Sequence, residues 1–195
     1  MRSCAVALLL LAAAFPLAAG SITLNFEGFP DSTILTTQYP SLTFTNAIIL
    51  TAGISLNEFE FPPPSGTSVV IDDGGPLFIS LATPALNFVG YFTYTVPLTV
   101  TAFDLLNNQV ASATSLFSNN LALSGDPGST PNERLELNSP GGLIYRVWIT
   151  GDPAGGSFTL DDVAITTVPE PDSLSLVMGT VLLIAARVRH HTSIR

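Results

Sequence analysis

The sequence predicts an all-β body, and three observations carry that prediction. No interior apolar run has a helical period, β-rich runs recur at short intervals, and turn-forming residues separate them. The 195-residue chain is 47% hydrophobic and only 11% charged, so it can bury enough apolar surface to offset the entropy lost on ordering. Its 15 glycines and 15 prolines, with many Asn, Thr and Ser, favour short strands and tight turns over helices.

Strands are expected at 22–26, 42–50, 68–71, 77–82, 85–95, 98–104, 109–117, 134–138, 143–150 and 157–166. Two of them, Thr99-Val100-Thr101-Ala102-Phe103 and Tyr145-Arg146-Val147-Trp148-Ile149, show the two-residue alternation of a half-buried strand. Asn107-Asn108 lies between two such runs and signals a hairpin, because Asn tolerates positive φ. Residues 72–75, 126–128 and 141–142 carry Asp, Gly and Pro and mark further turns, and Pro62-Pro63-Pro64 belongs in a loop. Tyr91 and Tyr94 fall in a dense apolar strand and are expected in the core. Ten short strands between residues 21 and 167 fit a single antiparallel β-sandwich of jelly-roll type.

The two ends read differently. Residues 1–20 carry Arg2, an apolar run over 5–17, and then Ala18-Ala19-Gly20. A short positive region, an apolar stretch and small residues at −3 and −1 are what signal peptidase requires, so this is a signal helix cleaved between Gly20 and Ser21. At the other end, residues 174–186 are apolar apart from Ser175 and Thr180, and Arg187 and Arg189 follow. Thirteen helical residues reach about 20 Å against a hydrocarbon core of about 30 Å, which suits a transient stop better than a permanent anchor. The arginines would hold such a short transmembrane helix on the cytoplasmic side.

Val168-Pro169-Glu170-Pro171, the short apolar segment and the terminal basic cluster come in the order and spacing of a known tripartite tail. The last 28 residues, 168–195, resemble the PEP-CTERM sorting signal that exosortase recognises in Gram-negative bacteria. The resemblance implies cleavage near Pro169, Glu170 and Pro171, and release or attachment at the cell surface, commonly beside exopolysaccharide. The basic cluster is thinner than the family's usual run, with His190 and His191 beside the two arginines. The chain thus divides into a signal peptide (1–20), a sandwich (21–167) and a sorting tail (168–195).

Between Ser21 and Pro169 only Arg134 and Arg146 offset thirteen carboxylates, leaving the body at −11. That charge should repel nucleic acid and anionic membrane surfaces, which makes both poor partner candidates. The same span has no His, Cys or Lys, which removes Ser–His–Asp and Cys–His catalysis, Schiff-base chemistry and ordinary zinc sites. No glycine-rich nucleotide cradle is present. The chemistry left to an enzyme is a pair of carboxylates, and no pair stands out. The chain is therefore expected not to be an enzyme.

Two acidic spots suggest an ion. One is Asn25-Phe26-Glu27-Gly28; the other is Phe158-Thr159-Leu160-Asp161-Asp162-Val163 in the final strand. In a regular strand Leu160 and Asp162 share one face, while Asp161 and Val163 share the other. The adjacent carboxylates then require solvent, a bulge or an ion, and calcium takes six to eight oxygen ligands of the kind a turn-rich acidic site supplies. This pair of motifs resembles jelly-roll carbohydrate-binding modules and related galactose-binding-like domains. The resemblance implies that first and last strands are neighbours and that Glu27 with Asp161 or Asp162 holds a structural calcium; a solvated strand end is the other reading. A sugar site is weaker. Trp148 and Arg146 share one strand face and could stack on and hydrogen-bond a sugar, unless Trp148 is buried in the core or shields an edge. The expected function is a non-catalytic, exported cell-surface or extracellular-matrix protein that binds exopolysaccharide. The alternatives are a secreted carbohydrate-active hydrolase using paired carboxylates and a purely structural matrix component.

Overall fold

The computed structural model describes residues 20–139 and 143–168. The signal helix, the 141–142 turn, the Pro-Glu-Pro motif, the apolar segment and the basic tail lie outside the described residues. Ten strands form: β1 (Ser21–Leu24), β2 (Leu42–Thr45), β3 (Ala47–Thr51), β4 (Ser68–Asp72), β5 (Leu77–Tyr94), β6 (Thr99–Phe103), β7 (Gln109–Thr114), β8 (Glu133–Asn138), β9 (Ile144–Thr150) and β10 (Phe158–Thr167). Every strand pairing among them is antiparallel.

The sandwich is organised by β5, which is 18 residues long and serves two layers. Its first part pairs with β2 on one side and β9 on the other, and β9 continues to β6 and β7. Its second part pairs with β8 and with β10, and β10 in turn holds β4 through its first half and β1 through its second. Pro84 sits at the crossing, where the β5–β9 register shifts between Ser80 and Ala85, a position at which a strand tolerates proline. The inner faces supply one core, with Phe26, Phe88, Phe92, Tyr94 and Phe158 among its largest buried side chains.

Three sequence expectations change here. The strand expected over 42–50 is two strands, because Asn46 adopts a left-handed φ of 57° and turns β2 into β3. The two strands expected over 77–82 and 85–95 are one. Tyr94 is core as expected, but Tyr91 pairs with Arg134 on the outer face of the second layer and is only half-buried.

Asn46 also donates from Nδ2 to the Pro76 carbonyl at 2.9 Å. A β-branched residue can neither take that φ cheaply nor make that bond. Asn46→Val is expected to lower the unfolding free energy by about 1–3 kcal/mol, and Asn46→Gly by clearly less, as read from urea denaturation. Equal losses in the two variants would show that the backbone angle is not what the site requires.

Candidate functional site

The outer face of the first layer is where polar and aromatic groups gather. Alternation along β9 buries Val147 and Ile149 and turns Arg146 and Trp148 outward, as the sequence pattern requires. Trp148 is 39% exposed and so is not a core residue. The registers set two rows across this face. One reads Thr45, Phe78, Trp148, Thr101 and Ser112; the next reads Thr43, Ser80, Arg146, Phe103 and Gln109. Neither row contains a carboxylate.

Trp148 is held between two phenylalanines. Its ring lies 4.9 Å from that of Phe78 at an interplanar angle of 31°, and 6.1 Å from that of Phe103 at 41°. The three rings give a partly exposed apolar platform bordered by threonine and serine hydroxyls. Beyond Ser80 and Thr43 the face runs into an open depression of about 380 Å³, also lined by Tyr39 and Pro40. Neither Phe78 nor Phe103 was linked to Trp148 in the sequence, because their strands are distant from it along the chain. The signal was present in outward positions alternating Phe78 with Ser80, and Thr101 with Phe103.

Arg146 is the one cation on this face. The body's other arginine, Arg134, is bound to Glu136 at 2.7 Å, whereas among the described residues Arg146 makes no ion pair. Its charge is felt at Asp104. That carboxyl is held below the usual range chiefly by Asn108, with the Leu106 backbone and the Arg146 charge contributing. The Asp104 oxygens are already engaged by the amides of Leu106 and Asn108 and by Asn108 Nδ2.

The predicted ion-binding residues lie on the second layer. β10 bulges: Asp161 is opposite Tyr91 and Ala164 is opposite Val89, so one extra residue is inserted, and Asp162 takes a φ of 47°. The bulge is one of the three outcomes that the adjacent carboxylates left open. Leu160 and Val163 both reach the core, and Asp161 is buried on the other side at 1% exposure. Segment 65–68 binds to this spot. Ser65 Oγ donates to Asp162 Oδ1 at 2.7 Å, while Glu27 Oε1 accepts the amides of Thr67 at 2.8 Å and Ser68 at 2.7 Å. Glu27 is presented by Phe26 and Gly28, both left-handed, with φ of 56° and 85°.

Asp161 Oδ1 accepts the Asp162 amide at 2.7 Å, but Oδ2 is buried with no partner. Burial pushes this carboxyl up to about 7; the Asp162 and Ser65 backbone amides oppose the rise, and the Asp162 and Glu27 charges add to it. Among the described residues no three Asp, Glu, His or Cys converge as a ready metal cage. The Asp161 Oδ2 atom is thus a buried acceptor left without a hydrogen-bond donor. At 1% exposure Asp161 is out of reach of a glycosidic bond, so it is no acid or base for a glycoside.

No protein-family model matches the chain, and no curated protein matches it. Solved structures do resemble it. The K1 cleaved adhesin domain of Lys-gingipain from Porphyromonas gingivalis aligns at 12% identity, covering 76% of this chain and 99% of that one, with a TM-score of 0.46. A family 29 carbohydrate-binding module aligns at 9% identity over 77% of this chain and 92% of its own, with a TM-score of 0.43. The family 11 carbohydrate-binding module of a Clostridium thermocellum cellulosomal cellulase aligns at 11% identity over 80% and 99%, with a TM-score of 0.36.

Proposed function

We propose that this chain is an exported, non-catalytic glycan-binding protein whose β-sandwich, of jelly-roll type, binds a polysaccharide on the outer face of the β2–β5–β9–β6–β7 layer. The observation that carries the reading is the exposed Trp148 platform, braced by Phe78 and Phe103 and ringed by hydroxyls. Sugar rings stack on such a surface through their C–H faces, while their hydroxyls bond to neighbouring polar groups. A five-stranded sheet fixes the platform before any ligand arrives, which lowers the ordering cost of binding.

The test is affinity gel electrophoresis of the purified protein in gels containing neutral and acidic polysaccharides, including exopolysaccharide from the producing cells. Trp148→Ala is expected to weaken retardation at least tenfold and to leave the melting temperature within about 2 °C, because the side chain is outside the core. Undiminished retardation of that variant would move binding off this face.

Export and sorting belong to the same proposal, on the sequence of the two ends: cleavage by signal peptidase after Gly20, then recognition of Pro169, Glu170 and Pro171 by exosortase, with membrane insertion of 174–186 transient or retained. The destination is the cell surface or extracellular matrix of a Gram-negative bacterium. We further propose a structural calcium at Asp161 Oδ2, the buried oxygen without a partner, with Glu27 or Asp162 as a second carboxylate and backbone carbonyls completing its shell. Its role is to neutralise buried charge and to tie segment 65–68 to the last strand.

A further inference from the structure

We propose that the glycan taken by this face carries carboxylates, that is, uronic-acid residues, and that Arg146 selects them. The inference rests on the glycan-binding reading of the same face and adds the class of sugar. Its basis is an asymmetry of charge. The body holds thirteen carboxylates and two arginines, yet the two rows around Trp148 contain no acid and one cation.

Arginines in an acidic protein are normally consumed by carboxylates, as Arg134 is by Glu136. Arg146 is left out of any such pair among the described residues, and Asp104 is occupied by its own turn. Arg146 is flanked across the ladders by Ser80 and Phe103 and lies two residues from Trp148 on one strand. A guanidinium on the same strand face as an aromatic platform offers a planar fork of donors, and the natural partner of that fork is a carboxylate bound through two parallel N–H···O bonds. A neutral sugar would satisfy the fork only in part. The acidic remainder of the body does not forbid such a ligand. Charges beyond about 8 Å are largely screened at physiological salt, so a glycan on this face meets Arg146 before it meets the body's net charge.

The experiment uses the full chain in affinity gels containing polygalacturonate, alginate, carboxyl-reduced polygalacturonate or dextran sulfate. The reduced polymer keeps the backbone and loses the charge. The expected result is retardation by at least one uronate polymer, about tenfold weaker retardation by its reduced form, and loss of that difference in Arg146→Gln. Arg146→Lys is expected to recover only part of it, because a point charge lacks the fork. Trp148→Ala should lose both polymers. Equal binding of the reduced polymer, or an Arg146→Gln variant that binds uronate normally, overturns the acid preference while leaving the platform intact. Equal binding of dextran sulfate overturns it too, showing charge alone at work. Silence of every polymer overturns both this inference and the glycan reading beneath it.

Discussion

Asp72→Ala is expected to cost about 3–5 kcal/mol of stability, the largest loss anticipated for any single polar substitution in this body. Asp72 ends β4 at 1% exposure, and its carboxylate accepts three bonds from Ser157 and Phe158, where the chain enters β10. Oδ1 takes the amides of Ser157 at 2.8 Å and Phe158 at 3.1 Å, and Oδ2 takes the Ser157 hydroxyl at 2.8 Å. The Asp72 carbonyl also accepts the Gly156 amide at 2.7 Å. Loop 151–157 is thereby pressed onto turn 72–75 so closely that a Cβ on Gly155 would meet the Gly74 amide at 2.5 Å. Alanine strands two buried amides, each lost bond to a charged group being worth about 1.5–3 kcal/mol. Asp72→Asn should cost only about 1 kcal/mol, since an amide oxygen still serves the two N–H groups and its nitrogen can donate to Ser157 Oγ. Urea denaturation separates the two; an alanine variant within 1 kcal/mol of the parent would refute the account.

Calcium is expected to raise the melting temperature of EDTA-stripped protein at pH 7.5 by about 5–10 °C when free calcium is a hundredfold above its Kd. The pH dependence of the stripped protein gives an independent sign. Asp161 is raised in the fold from 3.8 to about 7, so between those values the folded state keeps a proton that the unfolded chain has released. Stability without calcium therefore falls as pH rises from about 4 to 7, and the penalty is complete above the folded value. Burial also raises Asp72, which acts in the same direction. Asp161→Asn should abolish the calcium response and make the stripped protein more stable at pH 7.5, because a neutral amide replaces a buried charge. A stripped protein whose melting temperature is flat or rising between pH 5 and 7.5 contradicts the assignment, as does an Asp161→Asn variant that still responds to calcium.

What was legible in the residues was mostly what depends on near neighbours. Alternation placed Arg146 and Trp148 on one face of β9, and the Asn107-Asn108 hairpin formed with Asn107 at a φ of 65°. Features decided by distant contacts were not legible. The continuity of β5 through Pro84 depends on two layers sharing one strand, and a proline in a single sequence reads as a break. The adjacent carboxylates allowed a bulge at Asp162 beside solvent and an ion, but the choice among them depends on how β10 meets β5. The neighbours of Trp148 come from β5 and β6, so the platform exists only once the sheet has assembled. The expectation that Glu27 and Asp161 come from neighbouring first and last strands was met in one respect: β1, which leads into Glu27, pairs with β10 from Ser21 to Leu24.

That pairing has a bearing on how the molecule can be made. β10 is the last strand of the body to be synthesised, and it hydrogen-bonds to β1, β4 and β5. Until it arrives, each of those three lacks a neighbour, and the loop closures that would join them go unrewarded. A chain leaving a ribosome or a membrane pore N-terminus first would remain threadable through most of its passage. Its folding would then complete cooperatively when residues 158–167 follow.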